Sequence, residues 1–138
     1  MGFYLYISNK DSAHCYPSNK PDSFVVNLEQ DYCLKGNWKV AVTDITITLD
    51  FHDIVPEQLC LLLDICEPTF VRGHYKQILR RLNVENNNNI FHATFPHPYF
   101  VNVNVQAFKN IRVQLLDQDL VSPNLQGNIF FTLLFKKV

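Results

Sequence analysis

The segment Trp38–Phe51 constrains the fold more than any other part of this sequence, because its apolar residues alternate but change phase once. They occupy even positions from its start to Val42 and odd positions from Ile45 onwards. Alternation with a period of two is typical of a strand that has one buried face. A slip of one residue would turn the buried set outward unless a β-bulge or a bend absorbs it. The pattern therefore predicts one long central strand with a bulge or bend at Asp44.

Seven further segments show strand patterns. Counted along the chain with the central strand as the third, the sixth segment is interrupted by Pro96-His97-Pro98, and the fifth also fits one helical turn. Many short strands separated by turn residues are typical of an all-β sandwich or barrel. The sequence predicts one domain, residues 1–138, with the fold of an all-β, eight-stranded antiparallel jelly-roll sandwich in which the first, third, sixth and eighth strands share a sheet. Besides the central strand, the segments are Phe3–Ile7, Phe24–Leu28, Leu59–Cys66, Tyr75–Val84, Phe91–Val105, Ile111–Leu115 and Ile129–Phe135.

The composition indicates a folded chain with surplus apolar surface and little charge. Of its 138 residues 47% are hydrophobic and 18% are charged, and the formal net charge is −1. This excludes an intrinsically disordered chain and gives no electrostatic argument for nucleic-acid binding. No segment approaches the roughly 18 apolar residues of a membrane span, and the first residues lack the basic leader of a secretion signal. We expect an intracellular, reduced chain without a signal peptide.

Residues capable of catalysis or metal binding are scattered along the sequence. A cupin-type metal site needs two histidines one residue apart, so that both lie on one strand face. No Gly-rich phosphate loop is present, and the four cysteines include no CxxC pair. We therefore expect no enzyme activity, no cofactor and no metal, with a small cupin-type enzyme as an alternative. The isolated histidines are His14, His52, His74, His92 and His97.

Two strands have apolar residues on both of their faces. Leu59–Cys66 is apolar throughout except at Asp64, and Ile129–Phe135 is apolar at both odd and even positions. A strand of a two-sheet sandwich needs only one inward face, and a large exposed apolar patch marks an interaction surface. The second faces therefore predict contacts between subunits. The predicted interface residues are Leu62, Phe130, Leu134, Tyr4 and Tyr6.

The order of strand motifs at the two ends of the chain resembles a known family. An aromatic strand is followed by Ser8-Asn9, a Pro17-Ser18-Asn19 loop, a Phe-x-Val-x-Leu strand and the Gly-x-Trp-x-Val pattern that starts at Gly36. The C-terminal part has a Phe-x-x-Ile-x-Val strand from Phe108 and a Gly-x-Ile strand from Gly127, and the middle contains Ile-Leu-Arg-Arg. These motifs resemble the vertex (penton) minor capsid proteins of Polinton/Maverick elements and adintoviruses.

The resemblance implies a single jelly roll that forms homopentamers at the five-fold vertices of an icosahedral capsid. The implied location is the virion, and the implied partner is a double jelly-roll major capsid protein. Two other functions stay open, a carbohydrate-binding jelly roll with Tyr4 and Tyr6 as its platform, and a capsid gene kept for a new role. In the vertex arrangement we expect four loops at one end of the domain, namely Ser8–Asp22, Phe51–Gln58, Glu85–Asn89 and Asp117–Gly127.

Overall fold

Eleven β-strands make up the regular structure of this chain, whose computed structural model describes residues 1–11, 13–85 and 89–138. These residues contain no helix, and hence none that is long and apolar enough to cross a membrane. The strands are β1 Gly2–Ser8, β2 Ser23–Cys33, β3 Trp38–Thr48, β4 Gln58–Leu63, β5 Thr69–Val71, β6 His74–Lys76, β7 Ile78–Asn83, β8 Ile90–Thr94, β9 Val101–Asn102, β10 Ala107–Asp117 and β11 Asn128–Lys137.

Nine of these eleven strands form two antiparallel sheets that pack face to face, and β5 and β6 pair separately. Sheet A has the order β1-β11-β3-β8, with β9 pairing to the other half of β3, and sheet B has the order β2-β10-β4-β7. The predicted division of strands between the sheets agrees with this order, because the Pro-interrupted sixth segment corresponds to β8 and β9. The all-β, antiparallel arrangement is consistent with a jelly-roll fold.

The described residues form eleven strands where the sequence predicts eight. One difference is the division of the sixth segment into β8 and β9, and the other is a separate hairpin, β5–β6. Its two-residue turn is Arg72-Gly73, in which both residues have positive φ angles, 46° and 82°. Two such residues are typical of the hairpin turns whose twist matches the flanking strands. The segment that also fitted a helical turn is extended, as β6 and β7.

The predicted irregularity at Asp44 is confirmed. Between β3 and β11 the partners change from Asp44–Thr132 to Val42–Leu133, so that Thr43 is an extra residue in β3. This bulge keeps Val40 and Val42 before it and Ile45 and Ile47 after it on the inner face, where each is at most 1% exposed. The strand ends at Thr48, however, and the prediction that Phe51 continues it is wrong.

The hydrophobic core lies between the sheets and is rich in aromatic rings. Phe135 on β11 stacks on Phe3 of β1 at 4.7 Å and on Phe108 of β10 at 5.7 Å, and Phe108 stacks on Tyr32 of β2. These contacts connect the two sheets at the end of the sandwich where the chain begins and ends, which we call the termini end. Such stacked pairs contribute roughly 0.5–1.5 kcal/mol each beyond the area they bury.

Four loops cluster at the opposite end of the sandwich, which we call the loop end. Hydrogen bonds from backbone N–H groups join them in a chain, with two carboxylates as acceptors. The predicted clustering is confirmed for the described part of these loops, and residues 12 and 86–88 lie outside it. The bonds are Leu125 N to Asp22 Oδ2, 3.1 Å, Gln126 N to Asp53 Oδ1, 2.8 Å, and Val84 N to Glu57 O, 3.0 Å.

Candidate assembly surface

Four of the five predicted interface residues lie together on the outer face of sheet A. Tyr4 and Tyr6 on β1 point away from the core, and their register partners on β11 are Leu134 and Thr132. Side chains that oppose each other in this way have Cβ atoms about 4.5–5.5 Å apart, and diagonal neighbours are also within reach of an aromatic ring. Tyr4, Tyr6 and Phe130 are 54%, 66% and 48% exposed. We call Tyr4, Tyr6, Phe130 and Leu134 the outer aromatic face.

Polar groups beside the outer aromatic face already have partners within the chain. Asp44 Oδ1 accepts a hydrogen bond from Thr132 Oγ1 at 3.0 Å, and Thr46 Oγ1 lies 2.7 Å from His92 Nδ1. A covering molecule would therefore not leave these groups unpaired by removing water from them. An apolar centre with satisfied polar neighbours is typical of the buried part of a protein–protein interface.

Leu62, the fifth predicted interface residue, is not on the free surface. It does point outward from sheet B, but it is only 6% exposed. It packs with Cys60 and Ile78 in a small second core, against which Val71 and Leu116 also pack. Val71 belongs to the β5–β6 hairpin, so the second apolar face of β4 is covered by the chain itself. The apolar pattern correctly predicts a covered face, but in this chain the cover of Leu62 is its own hairpin and not, as predicted, another subunit.

The β5–β6 hairpin presents a second aromatic surface on the side of sheet B. Phe70 and Tyr75 are 62% and 72% exposed, and their rings meet edge to face at 5.3 Å. Arg72 at the turn forms an ion pair with Asp119 at 3.2 Å, which connects the hairpin with the β10–β11 loop. Three-residue strands are too short to show alternation, so only the turn residue Gly73 could have indicated this surface.

The β3–β4 loop exposes two more apolar side chains at the loop end. Phe51 and Ile54 are 86% and 85% exposed. Between them, Asp53 accepts hydrogen bonds from Asp50 N at 2.8 Å and Gly127 N at 3.2 Å, which fixes the loop. The alternating pattern predicts Phe51 in the buried series of the central strand, so it gives no indication of this exposed site.

Candidate metal ligands and thiols are dispersed among the described residues. They include no group of three or more His, Cys, Asp or Glu side chains that could hold a metal. Burial raises the pKa of the Cys66 thiol to about 12, with a smaller contribution from the charge of Asp64, and burial also raises the pKa of Cys60. These two thiols are therefore poor nucleophiles at neutral pH.

The four cysteines should differ in reactivity according to their burial. In the folded protein we expect iodoacetamide to modify the exposed Cys15 and Cys33 and to leave the buried Cys60 and Cys66 unmodified at about pH 8. All four should react after denaturation. Mass spectrometry of the intact chain measures the number of adducts, and rapid modification of a third thiol in the folded protein would contradict the burial described above.

Comparisons with known proteins find similarity in structure. Neither a known protein family nor a curated protein sequence matches this chain. Among solved structures, it is similar to the crystal structure of the mavirus penton protein, with a TM-score of 0.69 over 100% of both chains at 7% sequence identity. At this identity the similarity shows a shared fold, so the chain has a penton-like fold.

Proposed function

We propose that this chain is a minor capsid protein that forms homopentamers at the five-fold vertices of an icosahedral shell. A penton-like fold over the whole chain supports the proposal. The observation that carries it is the outer aromatic face, because a sheet with a well-packed inner face has no need of exposed rings on the other side. We further propose a single eight-stranded jelly roll, with β5–β6 as an insertion, of the Polinton/Maverick and adintovirus type.

A ring of identical subunits requires two different surfaces that meet at each contact. The outer aromatic face and the pair Phe70 and Tyr75 lie on opposite sides of the sandwich, one on sheet A and one beside sheet B. We propose that the first surface of one subunit packs on the second surface of the next. A stable contact of this kind should bury about 1,200 Å² or more in total.

The vertex function also implies partners and a location. We propose that the pentamer sits in the virion, beside a double jelly-roll major capsid protein, and that the chain carries no catalytic activity, metal or cofactor. The exposed Phe51 and Ile54 are available for contacts outside the ring, in a loop whose backbone Asp53 holds by hydrogen bonds. A loop backbone that is already fixed loses less conformational entropy on binding.

Solution mass tests the proposed ring. Light scattering at high protein concentration should give five times the 16.1 kDa mass of one chain. A Tyr6→Asp/Phe130→Asp variant should be monomeric, because ring closure would bury two unpaired carboxylates, which costs several kcal/mol. Circular dichroism should show an unchanged β fold, since both side chains are about half exposed or more.

The matched control is Phe51→Asp, the same substitution at a more exposed aromatic residue outside the proposed contact. This variant should remain pentameric. A wild-type protein that is monomeric at its highest attainable concentration would refute self-assembly by this chain alone. Loss of the pentamer in all variants alike would show that the outer aromatic face has no special role.

A carbohydrate-binding module is the second candidate function. The exposed Tyr4 and Tyr6 are two residues apart on one strand face, and neighbouring aromatic rings of this kind are a surface on which sugar rings can stack. Binding to a glycan array that is lost in a Tyr4→Ala/Tyr6→Ala variant would support this function. A glycan array without hits would rule out the carbohydrate-binding function.

A further inference from the structure

The fold brings four lysines that are distant in sequence to one place at the termini end. Lys39 on β3 and Lys136 on β11 are direct register partners on the outer face of sheet A. Lys35 lies in the turn before β3, and the side chain of Lys137 approaches Gly36 in the same turn, with its Cε 3.2 Å from where a Cβ would be. We call Lys35, Lys39, Lys136 and Lys137 the lysine cluster.

No carboxylate of the described residues forms an ion pair with this cluster. The ion pair found in the described ranges joins Arg72 and Asp119, far from these lysines in the fold. Glu67 is the acidic residue closest in the strand register, and it accepts a hydrogen bond from Asn102 Nδ2 at 2.8 Å. Like charges that oppose each other across two strands are destabilising, and an external anion would offset such a cost at Lys39 and Lys136. Lys136 Nζ lies 5.7 Å from the centre of the Phe100 ring, a contact that leaves its positive charge in place.

Charge is distributed unevenly between the two ends of the sandwich. The loop end, residues 9–22, 49–57, 84–89 and 117–127, contains eight of the 13 acidic residues but only two of the 12 Lys and Arg residues. A net charge of −1 therefore conceals a negative loop end, because the rest of the chain contains 10 Lys and Arg residues against five acidic residues. The acidic residues of the loop end are Asp11, Asp22, Asp50, Asp53, Glu57, Glu85, Asp117 and Asp119.

We infer that the lysine cluster is a sequence-independent contact surface for nucleic acid. Lysine ammonium groups act as strongly hydrated point charges, which suits contacts to phosphates rather than the reading of bases. An acidic protein is the weaker candidate, because lysine is depleted in the buried centres of protein interfaces. Trp38, beside the cluster, has its Nε1–H bonded to Lys35 O at 2.9 Å, which fixes the turn that presents Lys35.

The negative loop end gives this contact a direction. A polyanion is attracted to the termini end and repelled from the loop end, so the chain binds it in one orientation. In a pentamer the clusters of five subunits would lie on one side of the ring, which raises the affinity through multivalency. The placement of five clusters on one side of a ring rests on the proposed function, whereas the contact of a single chain with nucleic acid does not.

Fluorescence anisotropy with a labelled DNA duplex of random sequence tests the inference. The logarithm of the binding constant should fall linearly with the logarithm of the salt concentration, with a slope of roughly −3 to −4 if four phosphates are neutralised. The variant Lys35→Gln/Lys39→Gln/Lys136→Gln/Lys137→Gln should bind at least about tenfold more weakly at about 50 mM salt.

A charge-matched variant distinguishes the effect of the lysine cluster on DNA affinity from the effect of net charge. Lys10→Gln/Lys20→Gln/Lys76→Gln/Lys109→Gln removes the same four charges from other parts of the surface and should lose less than about threefold in affinity. Absence of DNA binding by the wild-type protein at about 50 mM salt, or equal losses in both variants, would overturn the inference. Equally tight binding of poly-L-glutamate would overturn the assignment to nucleic acid.

Light scattering on the same protein preparations distinguishes failure of this inference from failure of the vertex function. DNA binding by a chain that stays monomeric at its highest attainable concentration would support the lysine cluster as a nucleic-acid surface and contradict the ring. A pentamer that does not bind DNA would contradict the inference and support the ring. Circular dichroism of both lysine variants checks that they fold, and a loss of affinity counts in support only where the β spectrum is unchanged.

Discussion

Gly127→Ala should destabilise the protein by about 3 kcal/mol or more, one of the largest effects expected for a single methyl group. A Cβ on Gly127 would lie 1.7 Å from Thr48 O and 2.7 Å from Thr48 C. These are backbone atoms at the end of β3, so the clash cannot be relieved by rotating a side chain. The midpoint of chemical denaturation, followed by circular dichroism, measures the change in the free energy of unfolding.

The control for this prediction is Gly73→Ala in the hairpin turn. No heavy atom lies within 4 Å of a Cβ on Gly73, but its φ of 82° is unfavourable for alanine. The cost should therefore be limited to that of the left-handed conformation, about 1–2 kcal/mol. If Gly127→Ala were no less stable than Gly73→Ala, β3 and the β10–β11 loop would not meet as closely as described. The hydrogen bonds that Gly127 makes to Asn9 and Asp53 would then also be in question.

Much of the fold could be predicted because alternation is a local signal. The change of phase at Asp44 predicted the bulge, and the order of apolar segments predicted which strands share a sheet. The ends of elements were harder to predict, because they depend on contacts with distant residues. Phe51 continues the apolar series of β3, yet the chain turns away after Thr48, where Leu49 N bonds to Asn89 O at 2.7 Å.

The candidate surfaces could be predicted only in part, because they too depend on contacts with distant residues. An apolar second face indicates that something covers a strand, but the sequence does not say what. On β11 the second face, with Phe130, is open, whereas on β4 the hairpin covers Leu62. The lysine cluster could not be predicted from the sequence either. About a hundred residues separate Lys39 from Lys136, and only the pairing of β3 with β11 brings them together.

Leu62→Asp should destabilise the fold by about 4 kcal/mol or more. The substitution removes a buried aliphatic side chain from the small core with Cys60 and Ile78, and it places a carboxylate where the side chain is only 6% exposed. We expect loss of the cooperative unfolding transition or a large fall in the denaturation midpoint. Guanidinium titration, followed by circular dichroism, measures either outcome.

Phe130→Asp is the informative comparison. It replaces an apolar side chain by a carboxylate on the outer face of β11, the other strand that has apolar residues on both faces. Phe130 is 48% exposed, so the substitution should cost about 1 kcal/mol or less in folding and act on assembly instead. A stable Leu62→Asp protein that fails to form pentamers would contradict the hairpin cover and make Leu62 a subunit contact. Unfolding of Leu62→Asp beside a folded, monomeric Phe130→Asp would show that the two apolar faces have different covers, the chain's own hairpin on β4 and a second subunit on β11.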